Sequence, residues 1–376
     1  MADDSEPLLD ATTALLPPLL TALDALSYAG RHIHPPRLEA LVAEMSPFRA
    51  PLEEGLARFQ AASWPEHLAY FRDQTTMASK HALEALDALA SCLSRSNPML
   101  GAYGAMGKQT LAVEALYPVS AMLGPVSRYF VSPLRRDDLE LQARLASADA
   151  TREEVGVMHA ANAASERGGF SIYVPEYCRP DQPLPLVMAL HGGSGHGRGF
   201  LWTWLRDARS RGAILVSPTS RGGTWSLQGP DVDTANLHAI VEHVRELWAV
   251  DERRILLTGM SDGATFSLVT GLQEGSPFTH LAPISGTFHP VLLSGSDPER
   301  LRNLPVYLVH GALDWMFPVD VAQMARDALS AAGARVTYRE LADLSHTYPR
   351  EENDLILDWL LGTTPPAATR RERGCL

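Results

Sequence analysis

Residues 256–267 read LLTGMSDGATFS and place a serine, Ser261, between two glycines where an apolar run gives way to a helical pattern. The residues from Gly259 to Gly263 fit G-x-S-x-G, and the flanking sequence predicts a strand, a sharp turn and a helix. Such a turn strains the serine backbone and leaves room only for small neighbours, which accounts for the glycines. The hydroxyl of Ser261 should then stand at a helix N-terminus, where negative charge is favoured. The alternative is an ordinary strand–helix connection with small residues.

The residues that would activate this serine should follow it in the chain. A serine hydroxyl is a weak nucleophile, so it needs a base, and the base needs an acid that orients it. His346 lies in a loop between the last predicted strand and the last predicted helix, and Asp314 follows the preceding strand. We expect His346 as base and Asp314 as acid, in the order Ser, Asp, His. Other residues could fill these roles but fit the order of strands and loops less well. For the base they are His280, His289 and His310, and for the acid they are Asp320 and Asp343.

A glycine-rich loop, 191–199, follows the apolar run LPLVMAL at 184–190. Glycines let backbone N–H groups face a ligand without interference from a Cβ atom. We expect the N–H of Gly193, with Ser194 the next choice, to stabilise an oxyanion together with the N–H of Asp262. The loop fits neither G-x-G-x-x-G nor a Gly-Lys-Ser/Thr pattern, which argues against a nucleotide site. A loop that is merely rich in glycine is the other interpretation.

The character of the sequence changes near residue 150. Residues 1–150 are rich in Ala and Leu at helical spacing and are punctuated by prolines, which predicts an all-helical domain of five to seven helices. From 151 to 364, short apolar runs alternate with helical patterns, which predicts a mostly parallel sheet flanked by helices. Residues 365–376, after a Pro/Ala run, are predicted to form a flexible tail.

Composition narrows the classes of function. The chain has 376 residues and a net charge of −12, which disfavours a nucleic-acid partner. The N-terminus lacks a basic segment typical of a secretion signal, and no apolar run is long enough to span a membrane. The three cysteines, Cys92, Cys178 and Cys375, fit neither a disulfide framework nor a zinc site. We therefore expect a cytoplasmic location.

Four segments together resemble the α/β-hydrolase superfamily: LPLVMALHGG, VDERRILLTGMSDGA, VYLVHGALDWMFPV and LSHTYP. The resemblance covers about residues 165 to 362. It is greatest to the phospholipase/carboxylesterase group, which is similar to polyhydroxybutyrate-depolymerase-like and feruloyl-type esterases. It implies the roles given above for Ser261, Asp314 and His346 and the two N–H donors, with no metal or organic cofactor.

The resemblance leads us to expect a serine carboxylesterase that acts on a small-molecule ester through an acyl-enzyme. Lysophospholipase, thioesterase or peptidase activity uses the same chemistry, and a non-catalytic binding protein is the alternative from another class. Asp262 departs from the usual residue after the serine; it either discourages anionic substrates or is a favourable charge in the first helical turn.

Trp225, Ser194 and Phe288 are the residues that we expect to contact substrate. Trp202, Trp204 and Trp315 are weaker candidates, and the pair His32 and His34 has no third ligand nearby. The helical domain has no counterpart in the minimal enzymes of this group. It either packs near the site or forms a subunit interface in a homo-oligomer, or it docks on the far side of the sheet.

Overall fold

We describe the fold from a computed structural model that defines residues 5–149, 151–294 and 296–363. The predicted boundary at residue 150 and the predicted tail at 365–376 lie outside these ranges, as does Cys375. In the part of the chain that is described, no helix is both long enough and apolar enough to cross a membrane.

Within the described ranges, a single eight-stranded sheet forms the centre of the C-terminal part. The strands are β1 Gly156–Ala160, β2 Phe170–Val174, β3 Leu184–Leu190, β4 Ile214–Pro218, β5 Val250–Met260, β6 His280–Ile284, β7 Pro305–Gly311 and β8 Arg335–Leu341. They are ordered β1-β2-β4-β3-β5-β6-β7-β8. β2 runs antiparallel to both its neighbours, and all pairs from β4 to β8 are parallel. This confirms the α/β-hydrolase fold.

Among the residues that the structure describes, seven α-helices precede the sheet: α1 Ser5–His32, α2 Leu38–Met45, α3 Arg49–Ala61, α4 Ala69–Ala90, α5 Pro98–Leu116, α6 Gly124–Tyr129 and α7 Leu139–Ala146. The prolines at 17 and 18 were expected to separate segments, yet both lie inside α1. The helix continues because one side of it is fully buried through Leu15, Leu19 and Leu23. Burial of that side offsets the backbone hydrogen bonds that the prolines cannot make.

In the described part of the chain, six more helices connect the strands: α8 Gly197–Arg211, α9 Thr234–Leu247, α10 Asp262–Gly271, α11 Val291–Ser294, α12 Pro298–Leu301 and α13 Val319–Ala331. A further helix, α14 Glu352–Leu361, follows β8. The sequence did not predict α8, because its first turn is rich in glycine. The side chain of His196 caps this helix by accepting from the amide of Arg198 at 3.2 Å, and Gly212 ends it in the left-handed conformation.

Two apolar cores lie on the two faces of the sheet. One contains side chains of β2 to β7 together with α9, α10 and α13. The other contains the opposite face of the sheet, α8, α14 and the buried sides of the N-terminal helices α1 to α6. The helical region therefore packs in the same layer as α8 and α14 and shares one continuous core with the sheet.

A buried charged cluster also joins the two regions. Glu176 follows β2, and its carboxylate forms an ion pair with Arg209 of α8 at 3.1 Å. The same carboxylate accepts hydrogen bonds from the hydroxyls of Tyr117, at 2.7 Å, and Tyr173, at 2.8 Å. Arg209 in turn donates to the carbonyl of Ser127, in α6, at 2.9 Å. Both oxygens of the carboxylate and all three nitrogens of the guanidinium thus have a partner, as burial of two charges requires.

Candidate active site

The turn between β5 and α10 holds Ser261 in an unusual backbone conformation. Its φ and ψ are 56° and −119°, and its amide donates to the carbonyl of Ile284 at 3.1 Å. A Cβ atom on Gly259 would lie 2.6 Å from backbone atoms of Gly263. One on Gly263 would lie 2.5 Å from the carbonyl oxygens of Leu190 and His191, where β3 ends. Both glycines are thus required by close backbone approach, which is the physical reason for the G-x-S-x-G pattern.

The three residues predicted to act together meet at the carboxyl edge of the sheet. Nε2 of His346 lies 3.1 Å from Oγ of Ser261, and Nδ1 of His346 lies 2.9 Å from Oδ2 of Asp314. All three side chains are largely buried. Because the carboxylate can only accept, Nδ1 carries the proton and Nε2 is left to accept the proton of the serine hydroxyl. This is the arrangement that a general base requires.

The carboxylate of Asp314 is held in its ionised form by its hydrogen bonds. Its Oδ1 accepts from the amides of Met316 and Phe317, each at 2.9 Å. Burial alone would raise the pKa of Asp314, but the hydrogen bonds from His346 and the Phe317 amide outweigh it, so the pKa is lowered. His310 is a second imidazole near this carboxylate, with Nε2 at 3.6 Å from Oδ2. That nitrogen is hydrogen-bonded to the carbonyl of Phe317 at 2.9 Å, so His310 supports the turn.

The glycine-rich loop after β3 is fixed by His191. Its Nδ1 donates to the carbonyl of Gly192 at 2.7 Å, and its Nε2 accepts from the amide of Ser220 at 3.1 Å. The indole N–H of Trp225 donates to the carbonyl of His191 at 2.7 Å. Burial lowers the pKa of His191 to about 4, so this imidazole stays neutral at physiological pH.

The two predicted oxyanion donors flank the serine. A Cβ atom on Gly192 would lie 3.6 Å from Cβ of Ser261, so the loop runs directly beside the nucleophile. Neither the amide of Gly193 nor that of Asp262 has an acceptor among the residues that the structure describes. The carboxylate of Asp262 is turned toward Thr224, whose hydroxyl donates to it at 2.6 Å. This position, in the first turn of α10, favours the interpretation of Asp262 as a helix charge.

The three residues expected to contact substrate lie elsewhere. Trp225 is buried, stacks on Phe266 at 5.5 Å between ring centroids, and supports the glycine-rich loop through its hydrogen bond to the carbonyl of His191. Phe288 belongs to the apolar core between the sheet and helices α9, α10 and α13. Ser194 is exposed at the tip of the loop, with a φ of 57°. None of the three lines the cavity described below. The direction in which each side chain points depends on the conformation of its loop, which the sequence pattern does not encode.

The N-terminal helices contact the loop that carries His346. The hydroxyl of Tyr103, on α5, donates to the backbone carbonyl of His346 at 3.0 Å. Burial raises the pKa of Tyr103 to about 12, so the hydroxyl keeps its proton. At the end of α1, the carbonyl of Arg31 accepts from the hydroxyl of Thr347 at 2.8 Å. These contacts hold the histidine loop from the side opposite the sheet.

A cavity of about 750 Å³ lies between the N-terminal helices and the candidate site. Its walls come from α1, α5, α8, the glycine-rich loop and the loop after β8. Gly192, Gly193 and Met260 line the end beside Ser261, while Met106, Leu111 and Phe200 supply apolar surface. The helical region therefore forms one wall of this cavity. Sequence reasoning did not identify Tyr103, Met106 or Phe200, and their places in the sequence give no sign of this role.

Known proteins resemble the C-terminal part of the chain. Residues 229–361 match the Phospholipase/Carboxylesterase family. Feruloyl esterase C of Emericella nidulans is 29% identical over 159 residues, which are 40% of this chain and 56% of that protein. Acyl-protein thioesterase 1 of Neurospora crassa is 26% identical over 123 residues, 32% of this chain and 50% of that protein. The crystal structure of a thermostable esterase aligns with a TM-score of 0.44 and 20% identity over 56% of this chain and 63% of that one.

These similarities leave part of each protein unmatched. The chain spans about half the length, or less, of the curated relatives that it matches. The family match begins at residue 229, well beyond the last N-terminal helix.

Proposed function

We propose that this chain, which belongs to the α/β-hydrolase superfamily, hydrolyses carboxylic esters through a covalent acyl-enzyme. The observation that carries the proposal is the hydrogen-bonded series Ser261, His346 and Asp314, with 3.1 Å and 2.9 Å between the paired atoms. The similarity to esterases supports the same reaction class. The substrate of the whole protein is also proposed, because the similarity covers only part of this chain and part of each relative.

Acylation begins when Oγ of Ser261 attacks the carbonyl carbon of the ester. Nε2 of His346 takes the hydroxyl proton, and the ionised carboxylate of Asp314 stabilises the imidazolium through Nδ1. The carbonyl oxygen becomes an oxyanion and accepts hydrogen bonds from the amides of Gly193 and Asp262. His346 then gives its proton to the leaving alcohol. A water molecule, deprotonated by the same imidazole, releases the acid and restores the serine.

A fluorophosphonate probe tests the nucleophile without knowledge of the substrate. We expect labelling of the intact protein and its loss in Ser261→Ala. The matched control is Ser194→Ala, which changes an exposed serine on the neighbouring loop and should leave labelling in place. An intact, folded protein that takes up no probe and hydrolyses no p-nitrophenyl ester would support the non-catalytic alternative.

Thioester hydrolysis is the second candidate, favoured by the similarity to the acyl-protein thioesterase. The same serine and oxyanion donors would act, and only the leaving atom differs. Comparison of kcat/KM for oxygen esters and thioesters with the same acyl chain distinguishes the two. A preference of more than tenfold for the thioester would reassign the substrate class and keep the mechanism.

A further inference from the structure

The cavity beside the candidate site is more basic than the rest of the protein. Three arginines, Arg31, Arg198 and Arg350, line it, and Glu114 is the carboxylate among its lining residues. The chain as a whole carries a net charge of −12. The positive charge of this lining is opposite in sign to the net charge of the protein, so we ask what each arginine pairs with.

Two of these arginines are already paired within the protein. Arg198 forms an ion pair with Glu114, with 2.7 Å between Nε and Oε1. Arg31 donates to Glu351 at 2.6 Å and to Asp343 at 3.0 Å. Their charges are therefore compensated by groups that belong to the fold.

Arg350 differs from both. Its guanidinium makes no hydrogen bond or ion pair with any residue in the described part of the chain. The side chain is half-buried, and its nitrogen atoms remain accessible beside the cavity. Burial and the neighbouring guanidinium of Arg206 both lower the pKa of Arg350. A cation in these surroundings is costly until an anion joins it.

The nearby carboxylates do not fill this role. Asp207 is close enough to act electrostatically on Arg350, yet it forms no ion pair with it. Its Oδ2 instead accepts from the amide nitrogen of Asn353 at 2.9 Å. Arg206 is satisfied by Asp24 at 3.1 Å and by the ring of Tyr129, 3.8 Å from its guanidinium carbon. Arg350 therefore keeps its donors available toward the cavity.

We infer that Arg350 binds a carboxylate of the substrate, so that the preferred substrates are esters with a carboxylate at the end remote from the scissile bond. The inference rests on the proposed ester hydrolysis. Arg350 lies four residues beyond His346, so their Cα atoms are at most about 14 Å apart. A sphere with the cavity's volume would be about 11 Å across, which accommodates an ester and a carboxylate roughly four to six bonds apart. A planar guanidinium matches a carboxylate in geometry.

Paired substrates test this inference. One p-nitrophenyl ester has an adipoyl chain that ends in a carboxylate, and the other has a hexanoyl chain that ends in a methyl group. A second pair places the carboxylate on the leaving alcohol. We expect the intact protein to prefer the charged member of one pair by roughly tenfold to a hundredfold in kcat/KM, the usual effect of a charge-assisted hydrogen bond. Rates are corrected with Ser261→Ala, which measures spontaneous hydrolysis.

Variants assign the preference to one side chain. Arg350→Gln should abolish the preference and change hydrolysis of the neutral ester by less than about threefold. Arg350→Lys should retain part of the preference, since it keeps the charge but not the planar fork. The matched control is Arg302→Gln, an exposed arginine that pairs with Glu299 far from the cavity lining. Rapid hydrolysis of the neutral ester shows in each case that the variant is folded.

The outcomes separate this inference from the proposed function. If the intact protein hydrolyses neutral esters and prefers no charged ester in either pair, the inference is wrong and the proposed function stands. The same holds if the preference survives Arg350→Gln. Faster hydrolysis of a phosphonate-ended ester than of its carboxylate counterpart would overturn the assignment to a carboxylate. If no ester is hydrolysed and the fluorophosphonate does not label Ser261, the proposed function fails and the inference fails with it.

Discussion

Lowering the pH from 7.5 to 5 should weaken the fold through one buried imidazole, that of His191. In the folded protein Nδ1 donates to the carbonyl of Gly192, and Nε2 accepts from the amide of Ser220. A second proton would have to sit on Nε2, where it would face another donor. Burial lowers the pKa of His191 from 6.5 to about 4. Between these values the unfolded chain binds a proton that the folded protein does not, so stability falls as pH falls.

The size of the effect follows from the two pKa values. At pH 7.5 both states are almost entirely neutral at this position, and at pH 5 only the unfolded state is protonated. The difference amounts to ~2 kcal/mol of the free energy of unfolding between pH 7.5 and 5. Since the side chain is almost fully buried, solvent screening does not reduce this figure much.

The substitution His191→Gln isolates this contribution from other titrating groups. Urea unfolding followed by tryptophan fluorescence gives the free energy of unfolding at both pH values. The variant should be less stable than the parent at pH 7.5, and its deficit should be ~2 kcal/mol smaller at pH 5, because glutamine does not titrate. His67→Gln provides a reference at an exposed histidine. A deficit that is equal at both pH values, within about 0.5 kcal/mol, would refute the account of a buried neutral imidazole.

Three further substitutions test other contacts. Tyr103→Phe removes the hydrogen bond to the carbonyl of His346 and should lower kcat about three- to tenfold with a smaller change in KM, since the imidazole loses a positioning contact. Steady-state kinetics on a p-nitrophenyl ester measures both constants, and an unchanged kcat would mean that the loop needs no such support. Gly263→Ala should lower the free energy of unfolding by about 2 kcal/mol or more, because its Cβ would lie 2.5 Å from backbone oxygens; denaturant titration that finds no loss would contradict the packing argument. Glu176→Gln should cost about 3 to 5 kcal/mol by the same assay, because it leaves Arg209 buried without its anion, and a loss under about 1 kcal/mol would mean that another group compensates the charge.

The parts of the fold that the sequence predicted well are those with strong local patterns. The apolar runs at β3, β4, β6 and β7 became strands, because a strand buried on both faces must be apolar throughout. The G-x-S-x-G turn was predictable because close backbone contacts exclude any side chain at Gly259 and Gly263. The positions of Asp314 and His346 followed from the order of the strands that precede them.

Other features depend on packing that no local pattern encodes. The continuity of α1 through two prolines follows from the depth at which one side of it is buried. Helix α8 begins with glycines that normally argue against a helix, and a histidine cap compensates for them. The orientation of Trp225 and the contact of Tyr103 with the histidine loop join segments far apart in the chain. Such pairings are fixed only once the layers have come together.

The common core of the N-terminal helices and the sheet has a consequence for how the protein could be dissected. Because one face of the sheet is covered by these helices, an excised C-terminal fragment would present a wide apolar surface to water and would tend to aggregate. The hydrolase part should therefore not survive as an active minimal enzyme. Partial digestion should instead yield either the intact chain or small peptides, with activity and the full-length band disappearing at the same rate.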